Sequence, residues 1–242
     1  MNRLIIRSIL AFILVTPLFT YAGHGIPSSP RSREAISRMQ PKLEEELVKK
    51  GINFGAPIYI RIFKEERELE VWIKGNNDFR LFKKYPICTY GYGTLGPKIK
   101  QGDGQAPEGF YYVTPIQLNP VSNFHLSFNL GYPNHYDRIY KRTGSALMVH
   151  GSCVSIGCYA MTDEKIEEIY TLADAALGNG QSFFRVHAFP FKMTNKNMKK
   201  HRKSEWYSFW TNLKEGYEYF EHHGNLPPNV EVRNKKYVFE KP

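Results

Sequence analysis

Three cysteines in 242 residues are too few for a scaffold stapled by disulfides. No apolar run reaches the ~20 residues that a bilayer-spanning helix requires. No segment recurs with a period of ~20–50 residues, which excludes solenoids and propellers. The metal-binding spacings Cys-x-x-Cys and His-Glu-x-x-His are both absent. Acidic residues are scarce, 23 against 33 Lys and Arg, so the formal charge is +10. What is present is 42% hydrophobic and 14% aromatic residues, the composition of a packed globular protein and not of a disordered one. The length fits one domain with an appendage.

The longest apolar run, from Ile9 to Phe19, follows Arg3 and Arg7 and precedes Thr20-Tyr21-Ala22. That is the pattern of a secretory signal peptide over residues 1–22, with an uncleaved anchor as the alternative. Cleavage leaves 31 basic and 23 acidic residues, a net +8. For an exported chain the anionic partners are wall polymer and membrane surface. Lys196, Lys199, Lys200, Arg202 and Lys203 read as a solvated basic face, and no nucleic-acid-binding motif surrounds them.

Ile36, Met39, Leu43 and Leu47 recur at spacings of three and four between Arg33 and Lys50, predicting an amphipathic helix stopped by Gly51. The period then changes to two: Ile58, Ile60 and Ile62 mark one strand, Leu69, Val71 and Ile73 the next, and Phe79 to Ile87 a third, a β-meander. Six glycines and two prolines between Gly91 and Gly109 predict a long loop of the kind that carries function. Further strands are expected at Phe110–Val113, His125–Asn129, Ala146–Val149, Phe183–Phe189 and Tyr237–Phe239. Asp163 to Leu177 predicts a helix with Thr162 as N-cap and Gly178 after its end. A last helix, Ser204–His222, sets Trp206, Trp210, Leu213, Tyr217 and Phe220 on one face, a core stripe with a membrane-surface helix as the alternative. The fold class is α+β and β-rich, with peripheral helices. Its expected divisions are a leader at 1–22, a helix and linker at 23–55, a catalytic unit at 56–194 and a helical, aromatic extension at 195–242.

Reactive side chains concentrate in Leu147-Met148-Val149-His150-Gly151-Ser152-Cys153-Val154-Ser155-Ile156-Gly157-Cys158-Tyr159-Ala160-Met161. A strand delivers His150 at its end, and a glycine-bearing loop returns Cys158 just before the Thr162-capped helix. A thiol nucleophile needs a base within reach and a group to orient that base, and this arrangement supplies both. An imidazolium and a helix N-terminus would depress the Cys158 pKa. Gly157 would let backbone N–H groups approach a developing oxyanion. Plain packing of both side chains is the competing reading.

This segment resembles the active-site signature of the L,D-transpeptidases, the YkuD-type catalytic domain, in which His-Gly is followed by Ser-x-Gly-Cys. Ala106-Pro107-Glu108-Gly109-Phe110-Tyr111 is similar to the family's upstream Thr-Pro-x-Gly-x-Phe element. Gly96 to Asp103, Phe128 to Asn134 and His150 to Thr162 resemble its YafK-like subgroup, over roughly Pro57 to Thr194. The resemblance implies a β-sandwich or mixed-sheet fold and a thioester acyl-enzyme formed on diaminopimelate-containing stem peptides of a Gram-negative periplasm, without a cofactor. It implies Cys158 as nucleophile, His150 as general base, the Gly151 carbonyl as its orienter, and amides near Gly157 and Cys158 as oxyanion donors, with Ser155 shaping the loop. Ile156 and Ala160 depart from the family's frequent His and Arg. The subgroup's association with hydrolysis favours an amidase releasing wall-linked lipoprotein, or an L,D-carboxypeptidase, over 3-3 cross-linking or lipoprotein attachment.

Two other classes stay open, a zinc site of His150, Cys153 and Cys158 and a noncatalytic wall-binding module. Cys88 and Cys153 are candidates for a disulfide in an oxidising compartment, against two free thiols. Tyr159 and His125 are candidates for substrate contact, His125 with packing as the alternative.

Overall fold

Alternating apolar residues build strands only where each face finds cover, and here the first sheet is covered on both. The computed structural model describes residues 25–242, and the expected signal peptide lies outside them. Strands β1 (Ile58–Phe63), β2 (Glu68–Lys74) and β3 (Phe79–Pro86) form the expected meander. β10 (Phe184–Phe189) joins it parallel to β1, and β5 (Gly109–Val113) closes the order β3-β2-β1-β10-β5. Ile58, Ile60 and Ile62 point into the main core. Tyr59, Arg61 and Phe63, on the opposite face, are buried as well, because helix α5 (Tyr207–His222) lies across them. Tyr59 sits 5.0 Å from Phe220, and Phe63 sits 6.2 Å from Tyr217, so the aromatic stripe of α5 is core. Arg61, buried there, is neutralised by Glu70 at 2.8 Å and Glu221 at 2.5 Å.

A second sheet has the order β4-β9-β8-β7-β6. Its members are short: β4 (Thr89–Tyr90), β6 (Leu118–Asn119), β7 (Ser127–Asn129), β8 (Met148–His150) and β9 (Tyr159–Ala160). Between the sheets and beside them pack α1 (Pro30–Lys49) and α3 (Asp163–Gly178), joined by Arg38–Glu167 and Lys42–Glu168. α1 begins three residues before the expected start at Arg33. Ser29 caps it in a reciprocal box with Ser32, and Pro30 takes the first turn, where its missing N–H costs nothing. Thr162 caps α3 as expected. Two short helices, α2 (His135–Ile139) and α4 (Asn195–Lys200), and a hairpin of β11 (Asn229–Arg233) with β12 (Lys236–Glu240) complete a mixed α+β architecture. No described helix is long and apolar enough to cross a membrane.

A fully buried ion pair ties the glycine-rich loop to this frame. Lys64 donates to Glu108 Oε1 at 3.0 Å and to the carbonyls of Gly96 and Ala106. Glu108 in turn accepts from the Gly96 N–H and from Trp210 Nε1, both at 2.8 Å. Gly96 inside the loop, Glu108 at its end and the C-terminal helix therefore meet at one carboxylate.

Candidate active site

β8 and β9 run parallel with Val149 opposite Tyr159 and His150 opposite Ala160, while β7 flanks β8 with Ser127 opposite His150 and Asn129 opposite Met148. Paired residues share a face and successive residues alternate. Val149, Phe128 and Tyr159 accordingly face the core, and Met148, His150 and Asn129 face the other way. Continuing the alternation one residue back from Tyr159 sets Cys158 on the His150 face, as its diagonal neighbour. Such neighbours have Cα atoms ~7–8 Å apart, and at rest no hydrogen bond joins the Cys158 thiol to the His150 ring. The Met148 N–H donates to Cys158 Sγ at 3.4 Å, and the thiol lies 3.5 Å from the Ala146 carbonyl oxygen.

The imidazole is held on two sides. The Phe124 ring lies 4.7 Å from it, and His150 is only 2% exposed. Nδ1 lies 2.6 Å from the Gly151 carbonyl oxygen. A carbonyl only accepts, so Nδ1 carries the proton and Nε2 keeps the lone pair of a base. Gly151 has to be glycine: a Cβ there would meet Asp163 Oδ1 at 2.5 Å and His125 Cβ at 3.0 Å. Its N–H bonds the Phe124 and Leu126 carbonyls at 3.0 and 3.2 Å, fixing the carbonyl that faces the ring.

The return loop is shaped by its own polar groups. Ser152 and Cys153 both adopt left-handed backbone, with φ of 64° and 51°, and are pinned by Ser152 N–H to Asp163 Oδ1 and Cys153 N–H to the Met161 carbonyl. Cys153 is bridged to Cys88 with Cα atoms 5.3 Å apart, leaving Cys158 as the free thiol. That bridge removes the third donor of a His150–Cys153–Cys158 zinc site. Among the described residues no other cluster of three metal-ligating side chains occurs. Ser155 Oγ donates to the Cys158 carbonyl at 2.7 Å and accepts from the Gly157 and Gly91 N–H groups at 3.0 and 3.3 Å.

Four expectations need correction. The Gly157 N–H is spent on Ser155 Oγ, so it is not a free oxyanion donor. Burial pushes the Cys158 thiol above its ordinary value, although the Met148 N–H and the Lys98 charge oppose this, and burial pushes His150 down. The resting site therefore favours neutral thiol and neutral imidazole over an ion pair. Strand β9 separates Cys158 from α3 along the chain, and Asp163 in the first turn of α3 answers the Ser152 N–H. Tyr159 is wholly buried with its hydroxyl on the Pro107 carbonyl, so it builds the floor beneath the site and touches no substrate. His125 binds Glu167 at 2.7 Å with its backbone at φ 66°, the packing alternative, and Glu167 also holds Arg38 of α1.

Two residues escaped the sequence reading. Lys98 is buried with its amine on Asp103 at 2.7 Å, and its charge acts on the Cys158 thiol. Phe124 covers the imidazole. Both depend on loops folding back over the site, which no local spacing reports.

Residues 57–179 match the family profile described as YkuD, L,D-transpeptidase catalytic domain. The chain is 44% identical over 237 residues to the Escherichia coli K12 protein YafK, whose name carries a provisional L,D-transpeptidase assignment, covering 98% of this chain and 91% of that one. The Escherichia coli O157:H7 protein matches equally. Among solved structures, the helical cell shape determining protein Pgp2 of Campylobacter jejuni aligns with TM-score 0.44 and 16% identity over 79% of this chain and 80% of its own. Bd1075 of Bdellovibrio bacteriovorus aligns at TM-score 0.40 and 16% identity over 74% and 78%. The profile match and the near full-length identity make this chain a member of the L,D-transpeptidase catalytic-domain family.

Proposed function

We propose that this protein is an exported cysteine acyltransferase of the cell wall, working in a Gram-negative periplasm on diaminopimelate-containing stem peptides with hydrolysis as its main outcome. The observation that carries this is the His150 Nδ1–Gly151 carbonyl contact at 2.6 Å, which leaves Nε2 as a base on the face that Cys158 shares. As Sγ attacks the scissile carbonyl, its proton passes to Nε2. With the Gly157 N–H committed elsewhere, the Cys158 N–H is the donor left to meet the oxyanion. Collapse breaks the C–N bond, and the imidazolium returns its proton to the departing amine. Water then attacks the thioester with Nε2 again as base, releasing acid and thiol.

Starting from two neutral groups suits this sequence, because no charge separates until substrate arrives and the proton moves with the attack. The YafK-like elements favour water as acceptor, and with it the release of wall-linked lipoprotein or of a terminal residue. The N-terminal leader pattern and the bridged Cys88–Cys153 pair both fit an oxidising, exported setting.

The test is mass spectrometry of muropeptides incubated with purified protein, with and without lipoprotein-linked sacculi. Shortened or lipoprotein-free products support hydrolysis. Accumulating 3-3 dimers would favour cross-linking. Binding without any conversion would indicate a wall-binding module and overturn the proposal.

A further inference from the structure

The surroundings of Cys158 differ on its two sides. On one lies the glycine-rich loop with its Lys98–Asp103 pair. On the other, across Met148, an open groove of about 500 Å³ runs to β6, the edge strand of the second sheet. Met148 and Asn129 form its floor. Asn119 lies on β6, Ile116 and Val121 stand at the rim with exposures of 79% and 71%, and Pro27 lines the far wall.

None of the residues lining this groove carries a charge. Its polar side chains are the Ser28 hydroxyl and three amides; the Gln117 amide is spent on Thr114, Tyr112 and Asn129, while in the other two Asn129 Oδ1 accepts the Gly131 N–H at 2.8 Å and Asn119 Oδ1 accepts the Val121 N–H at 3.2 Å. Each therefore presents its NH₂ group as a donor. A carboxylate or ammonium bound in such a trough loses water without gaining a counter-charge, so an ionic segment is disfavoured there. A neutral ligand with oxygen acceptors and short apolar faces fits it, and the volume lies within the usual range for ligand sites.

We infer that this groove binds the uncharged amino-sugar end of a sugar-bearing stem peptide, whose charged residues cross Met148 between the groove and the sulfur that takes the acyl group. The inference rests on the reading of the site as one for wall stem peptides, in which glutamate and diaminopimelate carry the charges and the sugar carries none. N-acetyl and hydroxyl oxygens meet the two amides, and the sugar's C–H faces and acetyl methyl meet Ile116, Val121 and Met148.

Calorimetric binding to the full-length mature chain bearing Cys158→Ala reads the groove whether or not chemistry follows. The probes are a disaccharide tetrapeptide and the same tetrapeptide without sugar. The sugar should tighten binding about tenfold or more, the worth of one or two added hydrogen bonds. Adding Ile116→Glu, an exposed change that the fold tolerates, should collapse that ratio toward one. Val48→Glu, equally exposed at 74% on α1, should keep it. A ratio near one in the Cys158→Ala chain, or a ratio that Ile116→Glu leaves intact, overturns the inference. A clear sugar preference with no turnover by the parent protein would instead uphold the groove and sink the proposed chemistry.

Discussion

Replacing both Cys88 and Cys153 with serine tests how far the return loop depends on its tether. The bridge closes a segment of 65 residues. Loop-closure entropy for that length amounts to about 4 kcal/mol of destabilisation of the unfolded chain. For a protein of this size, each kcal/mol moves the melting temperature by ~2–4 °C, so the double variant should melt about 8–16 °C lower. The double change also leaves Cys158 as the sole thiol, so no new pairing replaces the lost one. Cys153 sits in left-handed backbone at φ 51°, and Ser155 two residues on organises Gly157 and Cys158. Untethering should therefore slow acyl-enzyme formation by more than the folded fraction accounts for. Differential scanning calorimetry, with the reduced parent protein in parallel, reads the first effect, and rapid-quench mass spectrometry the second. A melting shift below about 3 °C with unchanged acylation would refute the reasoning.

Lys64→Met removes one partner of a fully buried pair and strands Glu108, which should cost about 3–5 kcal/mol in chemical denaturation, with Lys64→Met/Glu108→Leu recovering much of it. Because burial raises the Cys158 thiol, its alkylation by iodoacetamide should be slow at neutral pH and climb with a midpoint above that of a free cysteine; a midpoint below it would contradict the neutral resting site. His150 is depressed by burial, so between its folded pKa and 6.5 the unfolded chain binds more protons, and stability should fall as pH drops through that window. Denaturation midpoints of parent and His150→Gln across pH 5–7 check this, the variant losing that part of the slope.

Much of the frame was legible because one covered face is enough to set a period. The meander, the Thr162-capped helix and the long glycine loop follow from local patterns at Ile58–Ile62, Asp163–Leu177 and Gly91–Gly109. The elements that escaped are held by distant partners. β9 is two residues long and exists only through its pairing with β8 and β4, and the five-residue α2 is anchored by Asn134 to Phe110 and Tyr237 and by Asp137 to Tyr111. The site divides the same way. His150 meets the Gly151 carbonyl and Ser155 meets the Cys158 carbonyl, contacts between residues one and three apart that a local reading can reach. The direction of the thiol's pKa could not, since desolvation is set by every atom around the sulfur and not by its neighbours in the chain. Lys98 and Phe124 were hidden because each reaches the site from another loop.

The proposed chemistry requires Cys158 to carry the acyl group. Intact-protein mass spectrometry during turnover of a disaccharide tetrapeptide should find the parent chain shifted by the mass of a muropeptide acyl group, mapped to Cys158, and find no such adduct in Cys158→Ala or at comparable times in His150→Ala. Product formation by the Cys158→Ala protein at the parent's rate, or an adduct on any other residue, would contradict it.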